Sequence, residues 1–102
     1  MLKLQPNPTF KCKVGIPIPG EQKRHDITLT FKHMPRSQFE AFQPADGEAD
    51  VDTLMRIIAG WDGVDGDFSK ENLLALTEAY PGASFAIGTA YANELHGRRL
   101  GN

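Results

Sequence analysis

This chain carries little that could support covalent or metal chemistry. One cysteine, Cys12, stands among 102 residues, so no internal disulfide can form and a reducing compartment is expected. Cys12 falls on the apolar side of a predicted strand, where a thiol packs as a small inert hydrophobe unless a neighbouring base lowers its pKa. His25, His33 and His96 lie far apart and share no ligand spacing with Cys12 or with one another. A Gly-rich phosphate loop is also missing. Gly60, Gly63 and Gly66 follow a predicted helix, not a strand, and that removes the dinucleotide context. No apolar run is long enough for a signal peptide, and none approaches ~18 residues, so the chain reads as soluble and intracellular.

The acidic stretch from Asp62 to Glu71 invites a calcium reading, which fails on spacing. An EF-hand loop needs oxygen ligands at positions 1, 3, 5 and 12 and glycine at 6. Counted from Asp62, position 3 is Val64, position 6 is Asp67 and position 12 is Leu73. Counted from Asp65, position 6 is Lys70 and position 12 is Leu76. A solvated turn remains. No catalytic residue, cofactor or metal site is expected.

What is present is ordinary globular material: 40% hydrophobic and 24% charged residues. A chain of this length folds as a single domain that buries roughly 65% of its unfolded surface. The net charge of −2 conceals a segregation. Residues 1–36 carry seven Lys/Arg against Glu21 and Asp26, a balance of +5, whereas residues 37–97 stand at −9. Arg98 and Arg99 then follow. Two readings stay open: differently charged solvated faces, or electrostatic pairing between copies or with a partner of mixed charge.

Residues 1–8, with Pro6 and Pro8, form a lead-in. From Thr9 to Ile16 the pattern alternates, Phe10, Cys12, Val14 and Ile16 inward, Lys11 and Lys13 outward. His25 to His33 repeats it with Ile27, Leu29 and Phe31 inward. Period-two alternation of this kind predicts an antiparallel hairpin over 9–34. Its connection, 17–24, holds two prolines that cannot donate to a ladder and should stand off as a loop. Ser37 and Glu40 have capping-box spacing for a short helix to about Gln43. Val51, Leu54, Met55, Ile58 and Trp61 follow the three/four spacing of a helix from about Glu48 to Gly60, with Glu48, Asp50 and Asp52 in its first turn. Ser69 can cap a third helix through Tyr80. A fourth, Ala83 to His96, is rich in small residues that would admit a neighbouring helix closely. Gly97 suits its left-handed C-cap. The fold class is therefore α+β: an N-terminal antiparallel β-hairpin, then a bundle of three to four short α-helices over 37–97, then a tail at 98–102.

Binding is the remaining role. Nucleic acid is not expected, because Lys11, Lys13 and Lys32 face away from Phe10 and Phe31, whereas stacking aromatics must share the wet face with the charges. Trp61 ends an apolar stripe and is expected in the core. Phe39 and Phe42 either cover the core or present an aromatic pair to a partner. Together with Arg98 and Arg99 in the exposed tail they are the candidate partner-binding residues.

Several segments carry a resemblance to a known family. Ile58-Ala59-Gly60-Trp61-Asp62-Gly63-Val64, Phe68-Ser69-Lys70-Glu71-Asn72-Leu73, Tyr80-Pro81 and the closing Arg99-Leu100-Gly101-Asn102 are similar to the small tail assembly chaperones of long-tailed bacteriophages. Ile18-Pro19-Gly20 before a strand through Phe31 is similar to their N-terminal part. The resemblance implies a non-catalytic protein of the bacterial host's cytoplasm, phage or prophage in origin. It implies binding to the tape measure protein and the tail tube protein before the tube polymerises, and departure before the virion is complete. It also implies that a chain ending at Asn102 is the short form of a pair made by ribosomal frameshifting. A generic interaction adaptor or regulatory module of phage origin is the alternative.

Overall fold

The computed structural model describes residues 1–42 and 50–97. Strands β1 (Thr9–Ile16) and β2 (His25–Lys32) pair antiparallel as the alternation requires, Phe10 opposite Phe31, Cys12 opposite Leu29 and Val14 opposite Ile27. One face of this pair enters the core: Val14, Ile16, Ile27, Leu29 and Phe31 are buried. Cys12 sits half-buried on that face, its thiol donating to the Lys13 carbonyl at 3.6 Å. The loop between the strands turns where Glu21 N–H donates to the Ile18 carbonyl at 3.0 Å, and Gly20 supplies the positive φ of 86°.

Helix α1 (Arg36–Phe42) begins earlier than its capping box predicts. Phe39 N–H donates to the Pro35 carbonyl at 2.9 Å, so Ser37 lies within the first turn and does not cap it. Pro35 stands just before the first helical residue, where its missing N–H costs no intrahelical bond. Glu40 instead faces Arg36 at 4.0 Å, both side chains well exposed.

The larger correction concerns the segment after it. No helix runs from Glu48 to Gly60: α2 covers only Val51–Met55, and Ile58–Asp62 is a third strand, β3, antiparallel to β2 at the sheet edge. Asp50 caps α2 by accepting from Thr53 N–H at 2.8 Å, while Glu48 lies outside the described residues. The helical spacing was real but had another origin. Thr30 pairs with Gly60 and Phe31 with Ile58, which leaves Ala59 as the extra residue of a bulge. A bulge shifts the alternation by one, so Ile58 and Trp61 reach the same face at a separation of three. Ile57 and Ile58, both buried and β-branched, favour extended chain over another helical turn.

Helices α3 (Lys70–Ala79) and α4 (Ala83–Leu95) match expectation. Ser69 caps α3 by accepting from Asn72 N–H at 3.0 Å, and Gly97 ends α4 with φ 70°. Helix α4 contacts both α2 and α3, and β1 more extensively. This helix lies along β1 with Ala83, Ala86, Ile87 and Tyr91 buried, and a Cβ at Gly88 would meet nothing within 4 Å. Tyr91 inserts between sheet and helices, its ring centroid 5.0 Å from that of Phe31 and 6.1 Å from those of Phe10 and Phe39. Its hydroxyl donates to the Lys32 carbonyl at 2.7 Å, which satisfies the polar end of a side chain only 1% exposed. Gly82, between α3 and α4, sits against the start of the hairpin loop: a Cβ there would lie 2.6 Å from Pro17 Cγ.

Candidate functional site

The hairpin, the 62–67 loop and α3 meet around an open groove. Two adjoining cavities of about 250 and 260 Å³ share Val64, Asp65, Leu76 and Tyr80 as common walls. Ile16, Ile18 and Ile27 from the hairpin line the first lobe. The second runs along one face of α3, where Asn72, Ala75, Leu76, Ala79 and Tyr80 recur at helical spacing. Alanine at 75 and 79 keeps that wall low, so a ligand backbone can approach the helix.

Two hydrogen bonds fix the loop that forms the opposite wall. Trp61 Nε1–H, reaching over from β3, donates to the Gly66 carbonyl at 2.8 Å. From α3, the Asn72 side-chain amide donates to the Asp67 carbonyl at 2.7 Å. Trp61 is further held edge-on against Phe68, centroids 5.2 Å apart. Gly63 takes a φ of 92°, which turns the chain sharply out of β3. Val64 is thereby presented into the groove from a stretch otherwise made of aspartate and glycine.

The ionisable groups lining the groove are His25, Asp65 and Tyr80, and Asp65 borders both lobes. No charged side chain is buried among the described residues, and no cluster of His, Cys, Asp or Glu there could hold a metal ion. On the far side of α3, Lys70 reaches Asp52 at 2.6 Å and clamps α2 to α3. That hydrogen bond holds the Lys70 ammonium above its ordinary pKa, as the Thr53 amide holds the Asp50 carboxyl below its own. Both are structural effects away from the groove.

A smaller cavity of about 210 Å³ opens at the other end of the molecule, between the β2–α1 connection and the end of α4. His33, Arg36 and His96 border it over Met34, Phe39 and Leu95. The candidate partner residues bear on this region. Phe39 and Phe42 are buried at 5% and 8% exposure, so in this conformation they pack the core and are not an exposed pair. Phe39 stacks edge-on with His96 at 5.2 Å, and the Arg56 guanidinium lies 4.9 Å above the Phe42 ring. Arg98 and Arg99 lie outside the described residues. Sequence reasoning missed the larger groove altogether. The available signal was a branched apolar residue in a loop: Ile18 between two prolines and Val64 between Gly63 and Asp65.

The groove has structured walls and an apolar floor, with His25, Asp65 and Tyr80 as its ionisable groups. A family profile described as phage tail assembly chaperone matches residues 1–102, and the chain belongs to that family. Such chaperones are a non-catalytic kind of protein, and membership implies tail proteins as partners. No curated protein and no solved structure matches the chain at a significant level. No helix among the described residues is long and apolar enough to cross a membrane.

Proposed function

We propose that this chaperone holds the tape measure protein, and the tail tube protein with it, until the tube polymerises, and leaves before the virion is finished. Its setting is the cytoplasm of a bacterial host during assembly of a siphovirus-like tail, from a phage or a prophage. The observation that best supports this reading is the open groove, floored by the buried Ile16 and Ile27 and edged by the partly exposed Ile18, Val64, Leu76 and Tyr80. A long tape measure presents amphipathic helix, and a groove walled by one helix face takes such a segment through its apolar stripe. The groove is shallow and open, which suits temporary cover: it shields apolar surface without enclosing it.

Of the four candidate residues, Arg98 and Arg99 are assigned to a second, subsidiary contact, and Phe39 and Phe42 support that end of the molecule from within the core. Phe39 lines the smaller cavity, its ring centroid 6.4 Å from that of Phe42. Co-expression tests the role. The tape measure should become soluble and co-purify with this chain; a tape measure whose solubility is unchanged contradicts it.

A further inference from the structure

The sheet runs β1-β2-β3, so β1 is an edge strand with β2 as its one partner among the described residues. Register fixes which of its backbone groups are taken. In an antiparallel strand the N–H and C=O of a residue point the same way, and the direction reverses at each step. Lys32 N–H donates to the Ile57 carbonyl, so Lys32 turns toward β3; His33, one step on, donates to the Pro8 carbonyl at 2.8 Å. Carried along the register, Phe10, Cys12, Val14 and Ile16 bond to β2. Thr9, Lys11, Lys13 and Gly15 therefore aim their N–H and C=O groups out of the sheet edge. The Arg24 guanidinium caps the Gly15 carbonyl at 3.3 Å, and the Cys12 thiol is a weak donor to that of Lys13. No backbone group of the described residues bonds to the edge from Thr9 to Lys13. We infer that this edge takes an added strand from a partner protein, an extended segment in which acidic side chains alternate with apolar ones.

Both halves of that pattern are set by β1. On the solvent face Lys11 and Lys13 are exposed, and β1 holds no acid. In an antiparallel ladder the residues opposite these lysines exchange both hydrogen bonds with them and stand on the same face. Carboxylates there pair with the two ammonium groups, whereas lysine or arginine is repelled. On the core face Phe10 and Cys12 are half-buried, whereas Val14 and Ile16 further along are buried. Apolar side chains between the acids cover what is left open of Phe10 and Cys12. Lys32, opposite Thr9, takes no part, because its ammonium donates to the Met55 carbonyl at 3.4 Å on the β3 side. Asp26 stands opposite Gly15, beyond this stretch, at the end that Arg24 closes.

The same lysines exclude another copy of this edge. A second β1 would set lysine opposite lysine in its best-overlapping registers, and edges armed in this way resist pairing with themselves. Strand addition draws its affinity from main-chain hydrogen bonds and its selectivity from alternate side chains. Residues 9–13 lie at the end of β1 away from the groove, which Ile16 enters. The inference therefore goes beyond the proposed function and does not depend on it.

Amide exchange and NMR titration of the full chain test it. The probe is a short blocked peptide of alternating valine and glutamate, with a valine–lysine peptide as control. The valine–glutamate peptide should shift the Thr9, Lys11 and Lys13 amides and slow their exchange at least about tenfold at saturation. The Phe10 and Cys12 amides, already bonded to β2, should change much less. The control peptide should bind at least about tenfold more weakly. Lys11→Glu/Lys13→Glu, on the solvent face, should reverse that preference with circular dichroism unchanged. Ala75→Arg, which fills the groove wall on α3, should bind the peptide as wild type does. Equal affinity for the two peptides overturns the inference, and so does protection that falls elsewhere or leaves these amides unchanged. A groove that fails to hold the tail client, with the amide result intact, would count against the proposed function alone.

Discussion

Tyr91 shows what a single side chain does here. Burial pushes its phenol from the ordinary 10.0 up to about 12, because the anion would have to sit among Phe10, Phe31 and Phe39. The unfolded chain therefore releases this proton first, and the folded state loses its advantage as pH rises. Between about pH 10 and about 12 stability falls by about 2–3 kcal/mol from this group. Tyr91→Phe should cost about 1 kcal/mol at neutral pH through the lost bond to the Lys32 carbonyl. It should also flatten the alkaline slope. Urea unfolding at pH 7 and pH 11 reads both effects, and an unchanged slope in the variant would assign the alkaline loss to other groups. At Ser69 the cap is local and neutral: Ser69→Ala should lower stability by about 1 kcal/mol, seen as a lower urea midpoint with unchanged m. The Ser69 cap was legible in the sequence because its chemistry is contained within four residues, whereas Ser37 at a similar spacing lies inside α1 and does not cap it. The role of Tyr91 was not legible, since it depends on a carbonyl 59 positions away.

At the scale of elements, what matters is how the hairpin is locked to the helices. Gly82 has an ordinary φ of −83°, so nothing in its backbone conformation requires glycine; Pro17 does, at 2.6 Å from where a Cβ would stand. Gly82→Ala should cost about 1–3 kcal/mol by overpacking. Pro17→Ala removes the obstructing ring atom, so the double variant should recover part of that loss, a coupling measurable as a double-mutant cycle in thermal or urea unfolding. Strict additivity would mean that the contact carries no strain. The hairpin was fully legible because β1 and β2 pair without a register shift, and Gly97 was legible as a cap for its conformation alone. β3 was hidden by its own bulge. The extra residue at Ala59 places Ile58 and Trp61 on one face three apart, and the same pattern fits a helix. Hydrogen exchange checks the point: the β3 amides that bond to β2 should exchange slowly as sheet amides do, whereas a frayed helix there would exchange fast.

For the whole molecule, the hairpin and the 62–67 loop meet at the groove, which Ile16, Ile18 and Ile27 line together with Val64 and Asp65. The class of fold followed from the order of elements, and the chaperone family from motifs in its second half. The groove did not follow from either, because Ile16, Val64 and Leu76 come from three separate segments and only packing brings them together. In the function proposed above, that groove holds a tail client. Calorimetric titration of the purified tape measure, or a helical segment of it, into wild type and into Ala75→Arg tests it most directly. Wild type should bind, and the variant should bind at least about tenfold more weakly, with both proteins melting alike. Equal affinity for the two proteins, or no heat with wild type, would contradict it.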